Sequence, residues 1–159
     1  MKSKYILSGS IGVFLLFGGL ACHAAKWDKN SFNSKEVASA YYDAANIKVV
    51  GKTVNWTEKY VFTKDGTATV SKDISKYDAC KMNIEKYGPA TQSLTEYQMK
   101  KDQVRLVSKR YYSEANKELC TEKDMGKDFN LSWTKIERFS QIEQAKYDLV
   151  TKYKVAFPN

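Results

Sequence analysis

The stretch YYDAANIKVVGKTVNWTEKYVF, Tyr41–Phe62, decides the fold. Apolar and polar residues alternate up to Gly51-Lys52 and alternate again beyond it, the period-two pattern of strands whose side chains point to opposite faces. Glycine at the first of two central loop positions is what a type II′ turn requires, so Ile47–Val50 and Thr53–Thr63 read as a hairpin. On the second strand Val54, Trp56, Tyr60 and Phe62 share one face, interrupted by Glu58. Asn55, Thr57 and Lys59 share the other, interrupted by Val61. One apolar face and one wet face belong to an antiparallel sheet. Most of the aromatic rings here are therefore core. What remains for function is Asn55, Thr57, Lys59 and one ring of the Tyr41-Tyr42 pair, because adjacent strand residues face opposite ways.

Upstream of this hairpin, residues 26–34 are polar and read as loose, Glu36–Tyr42 reads as a strand, and DAAN at 43–46 reads as a turn with Asp43 accepting backbone N–H bonds. Downstream, KDG at 64–66 is a turn and the chain stays polar to Lys72. Tyr77–Tyr87 reads as a strand with Cys80, Met82 and Ile84 on one side, stopped by Gly88-Pro89. Thr91–Met99 and Gln103–Tyr112 make a second hairpin, with Val104 and Leu106 on one face and Val107 on the other. Residues 113–130 are polar and irregular, with a short helical turn around Cys120. Ser140-Gln-Ile-Glu143 is a capping box, in which hydroxyl and carboxylate satisfy each other's orphan N–H groups for about 1 kcal/mol. Behind it Ile142, Ala145, Leu149 and Tyr153 form one apolar helical stripe. A stripe on one helix and one apolar sheet face pack together. The fold class is α+β: about six antiparallel strands, with a C-terminal α-helix on the apolar face.

The first residues read as an address. Lys2 and Lys4 precede an apolar run, Ile6–Leu20, too short and glycine-broken for a membrane span, and small residues follow in LACHAAKW. Cleavage after Ala24 or Ala25 releases a soluble protein; cleavage before Cys22 leaves a lipidated cysteine. Residues 1–24 are thus a signal peptide, 25–35 a loose segment and 36–155 a single domain, exported to the periplasm, the outer-membrane surface or the medium. Both routes take Cys22 out of the thiol count. Cys80 and Cys120 remain as the available pair, bridged or left as two buried thiols.

The 159-residue chain carries a formal charge of +8. Without Lys2 and Lys4 it has 24 basic against 18 acidic residues, or +6. That excess favours anionic surfaces such as lipid headgroups, lipopolysaccharide or acidic glycans, rather than nucleic acid, which an exported protein rarely meets. The densest basic cluster is Lys100, Lys101, Arg105, Lys109 and Arg110, a candidate anionic-ligand contact in which Arg105 and Lys109 share one strand face and Arg110 takes the other. Catalytic devices are scarce. The lone histidine, His23, lies at the signal junction, which removes histidine as base and as zinc ligand. A disulfide removes the thiol nucleophile, and no phosphate loop or cofactor fingerprint is present. The carboxylates Glu58, Asp78, Glu85, Glu96 and Glu137 sit in ordinary strand or surface settings with no marked pair. No catalysis, metal or cofactor is expected.

The order YYDAANIKVVGKTVNW, a strand holding Cys80, a polar hairpin ending RYY, then MG at 125–126 and WTKIERFSQIE opening the last helix resembles the surface-adhesin protein E family of bacterial envelope proteins. The resemblance spans residues 40–150. It implies a six-stranded antiparallel sheet with a disulfide-pinned C-terminal helix, a possible homodimer, and an adhesin role contacting host matrix proteins such as vitronectin and laminin, or plasminogen. In that family the second cysteine lies in the last helix; here that helix has none, so Cys120 would tie an insertion to the strand bearing Cys80. The function expected is an adhesin-like, non-catalytic binding protein that contacts a protein or glycan macromolecule. The alternative is a periplasmic structural or inhibitor protein.

Overall fold

The computed structural model describes residues 25–34, 38–126 and 132–157. The expected signal segment, with Cys22 and His23, lies outside them, as does the start of the strand expected from Glu36. In chain order the elements are β1 (Trp27–Ser34), β2 (Ala38–Asp43), β3 (Lys48–Val50), β4 (Thr53–Phe62), α1 (Lys64–Ile74), α2 (Asp78–Tyr87), β5 (Gln92–Met99), β6 (Gln103–Tyr112), β7 (Glu118–Thr121), β8 (Thr134–Lys135) and α3 (Gln141–Thr151). The strands form one antiparallel sheet in the order β1-β2-β4-β5-β6-β7, with β3 also beside β4 and β8 beside β6. The α+β class is as the sequence indicates, with a C-terminal helix on an antiparallel sheet. Among the described residues no helix is long and apolar enough to cross a membrane.

The opening stretch folds as its alternation requires. Val50 pairs with Thr53 across Gly51-Lys52, and Gly51 takes a φ of +57°, a conformation glycine adopts without a Cβ penalty. Register then carries one face across the sheet: Tyr42 opposite Glu58, Glu58 opposite Thr95, Thr95 opposite Lys109. The next row on one side is Ala40, Tyr60, Ser93, Tyr111 and Cys120; on the other come Trp56, Tyr97 and Leu106, then Val54, Met99 and Val104. All three helices lie on this face. α3 seals one cluster, with Ala145 and Leu149 fully buried against Tyr42, Val54, Trp56 and Met99, and with Ile142 and Tyr153 packed at its margin. α1 and α2 seal a second, formed by Ile74, Cys80, Ala90, Tyr111, Leu119, Cys120 and Met125. At the start of α3 the Ser140 hydroxyl accepts from the Glu143 amide at 3.1 Å as expected, but the Glu143 carboxylate accepts from Phe139 N at 2.6 Å instead of from Ser140.

Four stretches differ from the reading of the sequence. Residues 77–87 are helical, not a strand. Cys80 and Ile84, one turn apart, face the core, while Met82, which alternation would place beside them, is 63% exposed. Residues 64–74 are a helix where a turn and a polar run were expected. Thr63 accepts from Gly66 N at 3.1 Å as its N-cap, and Gly66, Val70 and Ile74 recur every fourth residue on its inner side. Residues 27–34, expected to be loose, form an edge strand held by its backbone ladder to β2. Cys120 lies in β7, not in a helical turn, and it is bonded to Cys80 with the Cα atoms 4.8 Å apart. The disulfide therefore ties α2, rather than a strand, to the far edge of the sheet. It is compatible with an oxidising, exported environment.

Candidate functional site

Glu58, expected in an ordinary strand setting, is fully buried under α3. Three donors surround its carboxyl: Trp56 Nε1 at 2.9 Å, the Tyr60 hydroxyl, and Gln141 Nε2 of α3 at 3.5 Å. Gln141 also donates to the Tyr60 hydroxyl at 2.6 Å. A second acid, Asp148, comes from one face of α3; it is 4% exposed and accepts from the Tyr42 hydroxyl at 3.2 Å and Gln144 Nε2 at 3.0 Å. Burial pushes the Glu58 pKa above its ordinary 4.5, with the Asp148 charge adding to the effect and the hydrogen bonds from Tyr60, Trp56 and Gln141 opposing it. Burial first, and then the Glu58 charge, drive the Tyr42, Tyr60 and Tyr97 hydroxyls far above the tyrosine range, so all three stay protonated. Trp56 stacks on Tyr97 with ring centroids 5.0 Å apart. This network locks α3 to the sheet, and Glu58 offers no surface to a substrate.

Among the described residues no helix lies on the opposite face of the sheet. Its central row runs Lys29, Tyr41, Lys59, Leu94, Arg110 and Thr121. The Lys59 ammonium lies 4.5 Å from the Trp27 ring centroid and 5.6 Å from that of Tyr41. Two aromatic walls thus hold one cation by its attraction to their π faces. Beside it opens a cleft of about 260 Å³ lined by Trp27, Lys59, Gln92, Leu94, Tyr112 and Asn116. Gln92 Nε2 donates to Asn116 Oδ1 at 2.5 Å, and the Tyr112 hydroxyl donates to Glu118 Oε2 at 3.3 Å. Tyr41 is the ring of the Tyr41-Tyr42 pair that this face receives; Tyr42 is fully buried on the other.

The five basic residues singled out in the sequence do not form one patch. Glu96 lies opposite Ser108 and Tyr97 opposite Leu106, so Val107 is a one-residue bulge in β6. The bulge reverses the facing of everything after it. Arg105 and Arg110 consequently share the open face, and Lys109 points to the helix-covered one, opposite to the assignment from alternation. Arg110 is taken by Glu96 at 2.6 Å. Lys100 and Arg105 stack on Trp133, at 4.2 and 4.8 Å from its centroid, and Arg105 also donates to Gln98 Oε1. Lys109 lies over Tyr111. Lys101 is exposed, and its carbonyl accepts from Lys146.

Lys59 was legible as an open-face residue, and so was one ring of the Tyr41-Tyr42 pair, which the structure shows to be Tyr41. Trp27 was missed because its polar surroundings concealed a strand, and Asp148 because it interrupts no pattern on the helix. The chain matches no known family model, no curated protein and no solved structure.

Proposed function

We propose that this protein is an exported, envelope-associated binding protein of adhesin type, which holds a macromolecule against the open face of its sheet without catalysing a reaction. The observation that carries the reading is the Lys59 ammonium held between Trp27 and Tyr41 beside an open cleft, on the sheet face that none of the described helices covers. Half-exposed rings with a cation among them supply contact area at low entropic cost, as binding surfaces do. The buried acids favour binding over chemistry, since Glu58 is enclosed by its own donors. The basic excess and the resemblance to protein E adhesins point the same way, toward host matrix proteins or glycans.

The test is a panel of immobilised vitronectin, laminin and plasminogen, probed with wild type and with the Trp27→Ala/Tyr41→Ala variant, whose fold is checked by circular dichroism. Saturable binding by wild type, weakened at least about tenfold in the folded variant, is the expected result. Binding that ignores the substitutions overturns the assignment of the face. Protease shaving of intact cells should release peptides of a surface adhesin, whereas a periplasmic inhibitor would be spared.

A further inference from the structure

We infer that the cleft beside Lys59 is a subsite for a uronic-acid residue, a pyranose bearing one carboxylate, within an acidic glycan chain. This rests on the open-face reading above and names its ligand class. The chemistry of the lining selects for it. Lys59 has no ion pair among the described residues; its ammonium is held only by the Trp27 and Tyr41 rings, 4.5 and 5.6 Å away. It is half-buried, so a carboxylate reaching it would meet a partly desolvated cation, where charge-assisted hydrogen bonds are strongest.

One cation suits one carboxylate. The neighbouring arginine of the same row, Arg110, is already neutralised by Glu96 at 2.6 Å, so the cleft lacks the cluster of free guanidinium groups that phosphate or dense sulfate calls for. Leu94 and the Trp27 and Tyr112 rings provide apolar surface for the C–H face of a sugar ring. The paired amides of Gln92 and Asn116 supply donors and acceptors for its hydroxyls. At about 260 Å³ the cleft lies just under the range of roughly 300–1,000 Å³ in which whole drug-sized ligands are enclosed. It therefore fits one ring of a chain that continues across the open sheet, over the row of Lys29 and Tyr41.

The experiment is isothermal titration at low salt with a hyaluronan octasaccharide, which carries uronate carboxylates and no sulfate, and with the same oligosaccharide after reduction of its carboxyl groups. Wild type is compared with Lys59→Met, which keeps the aliphatic stem against the rings, and with the milder Gln92→Ala in case Lys59→Met does not fold. Expected are saturable binding of the native oligosaccharide and a loss of about tenfold or more on carboxyl reduction or in Lys59→Met, with a smaller loss in Gln92→Ala. Equal affinity for the reduced oligosaccharide overturns the inference, as does unchanged affinity in both variants or absence of binding. A glutamate-rich peptide that displaces the oligosaccharide and binds more tightly also overturns it, in favour of an acidic protein segment. If matrix proteins bind through Trp27 and Tyr41 while hyaluronan does not, the ligand class fails and the binding face stands.

Discussion

Glu58 shows how one residue can serve structure where its type invites a catalytic reading. It breaks the apolar face of β4, yet it is fully buried, and its carboxyl is met by an indole, a phenol and an amide rather than by a cation. Because burial raises its pKa above 4.5, the folded protein holds the Glu58 proton more tightly than the unfolded chain does. Its contribution to stability is complete below the ordinary carboxyl range and is lost as pH rises from there through the raised value. Glu58→Gln, like the protonated carboxyl, offers an acceptor to Trp56 and a donor toward the Tyr60 hydroxyl, and it cannot ionise. The variant should match wild type near pH 4 and melt above it at pH 8, as thermal unfolding at the two pH values would show; a constant difference would contradict the burial argument. The neighbouring Tyr42→Phe removes one of the donors to buried Asp148 and should cost about 1–3 kcal/mol, measured by urea unfolding.

At the scale of elements, α2 is the segment where two periods compete for the same residues. Cys80, Met82 and Ile84 alternate as a strand would, while Cys80 and Ile84 also stand one helical turn apart. Packing resolves the competition through Met82, which is 63% exposed. Truncating Met82 to Ala should change stability by less than about 0.5 kcal/mol, whereas Leu149→Ala in the α3 cluster should cost about 2–5 kcal/mol. A strand at 77–87 would make Met82 costly too. The same contrast explains what the sequence revealed. The hairpin at Gly51-Lys52 and the stripe of α3 were readable because local chemistry and burial agree there. α1 was concealed by an Asp-Gly pair that mimics a turn, and β1 by side chains that carry no apolar alternation, since an edge strand is held by its backbone. The Val107 bulge leaves no mark in the sequence, and it alone moved Lys109 to the covered face and Arg110 to the open one.

The whole molecule is a sheet with one face roofed twice. α3 seals the cluster around Trp56, and α1 with α2 seals the cluster around the Cys80–Cys120 bridge, while no described helix covers the other face. The bridge closes a segment of 40 residues and fastens α2 to β7, so the Cys80→Ala/Cys120→Ala variant should lose about 2–5 kcal/mol. Hydrogen exchange should then accelerate in α1 and α2 while α3 and β4 keep their protection. The open face is untouched by this change, so the binding proposed for it should persist in the folded variant. The three tryptophans report on three separate surroundings: Trp27 on the open face, Trp56 in the core, and Trp133 beneath Lys100 and Arg105. The most direct test of the proposed binding face is therefore a titration of indole-¹⁵N-labelled protein with vitronectin, laminin, plasminogen or the hyaluronan octasaccharide, followed by NMR. The Trp27 indole resonance should shift or broaden while those of Trp56 and Trp133 hold still; movement of Trp133 alone, with Trp27 unchanged, would contradict the account.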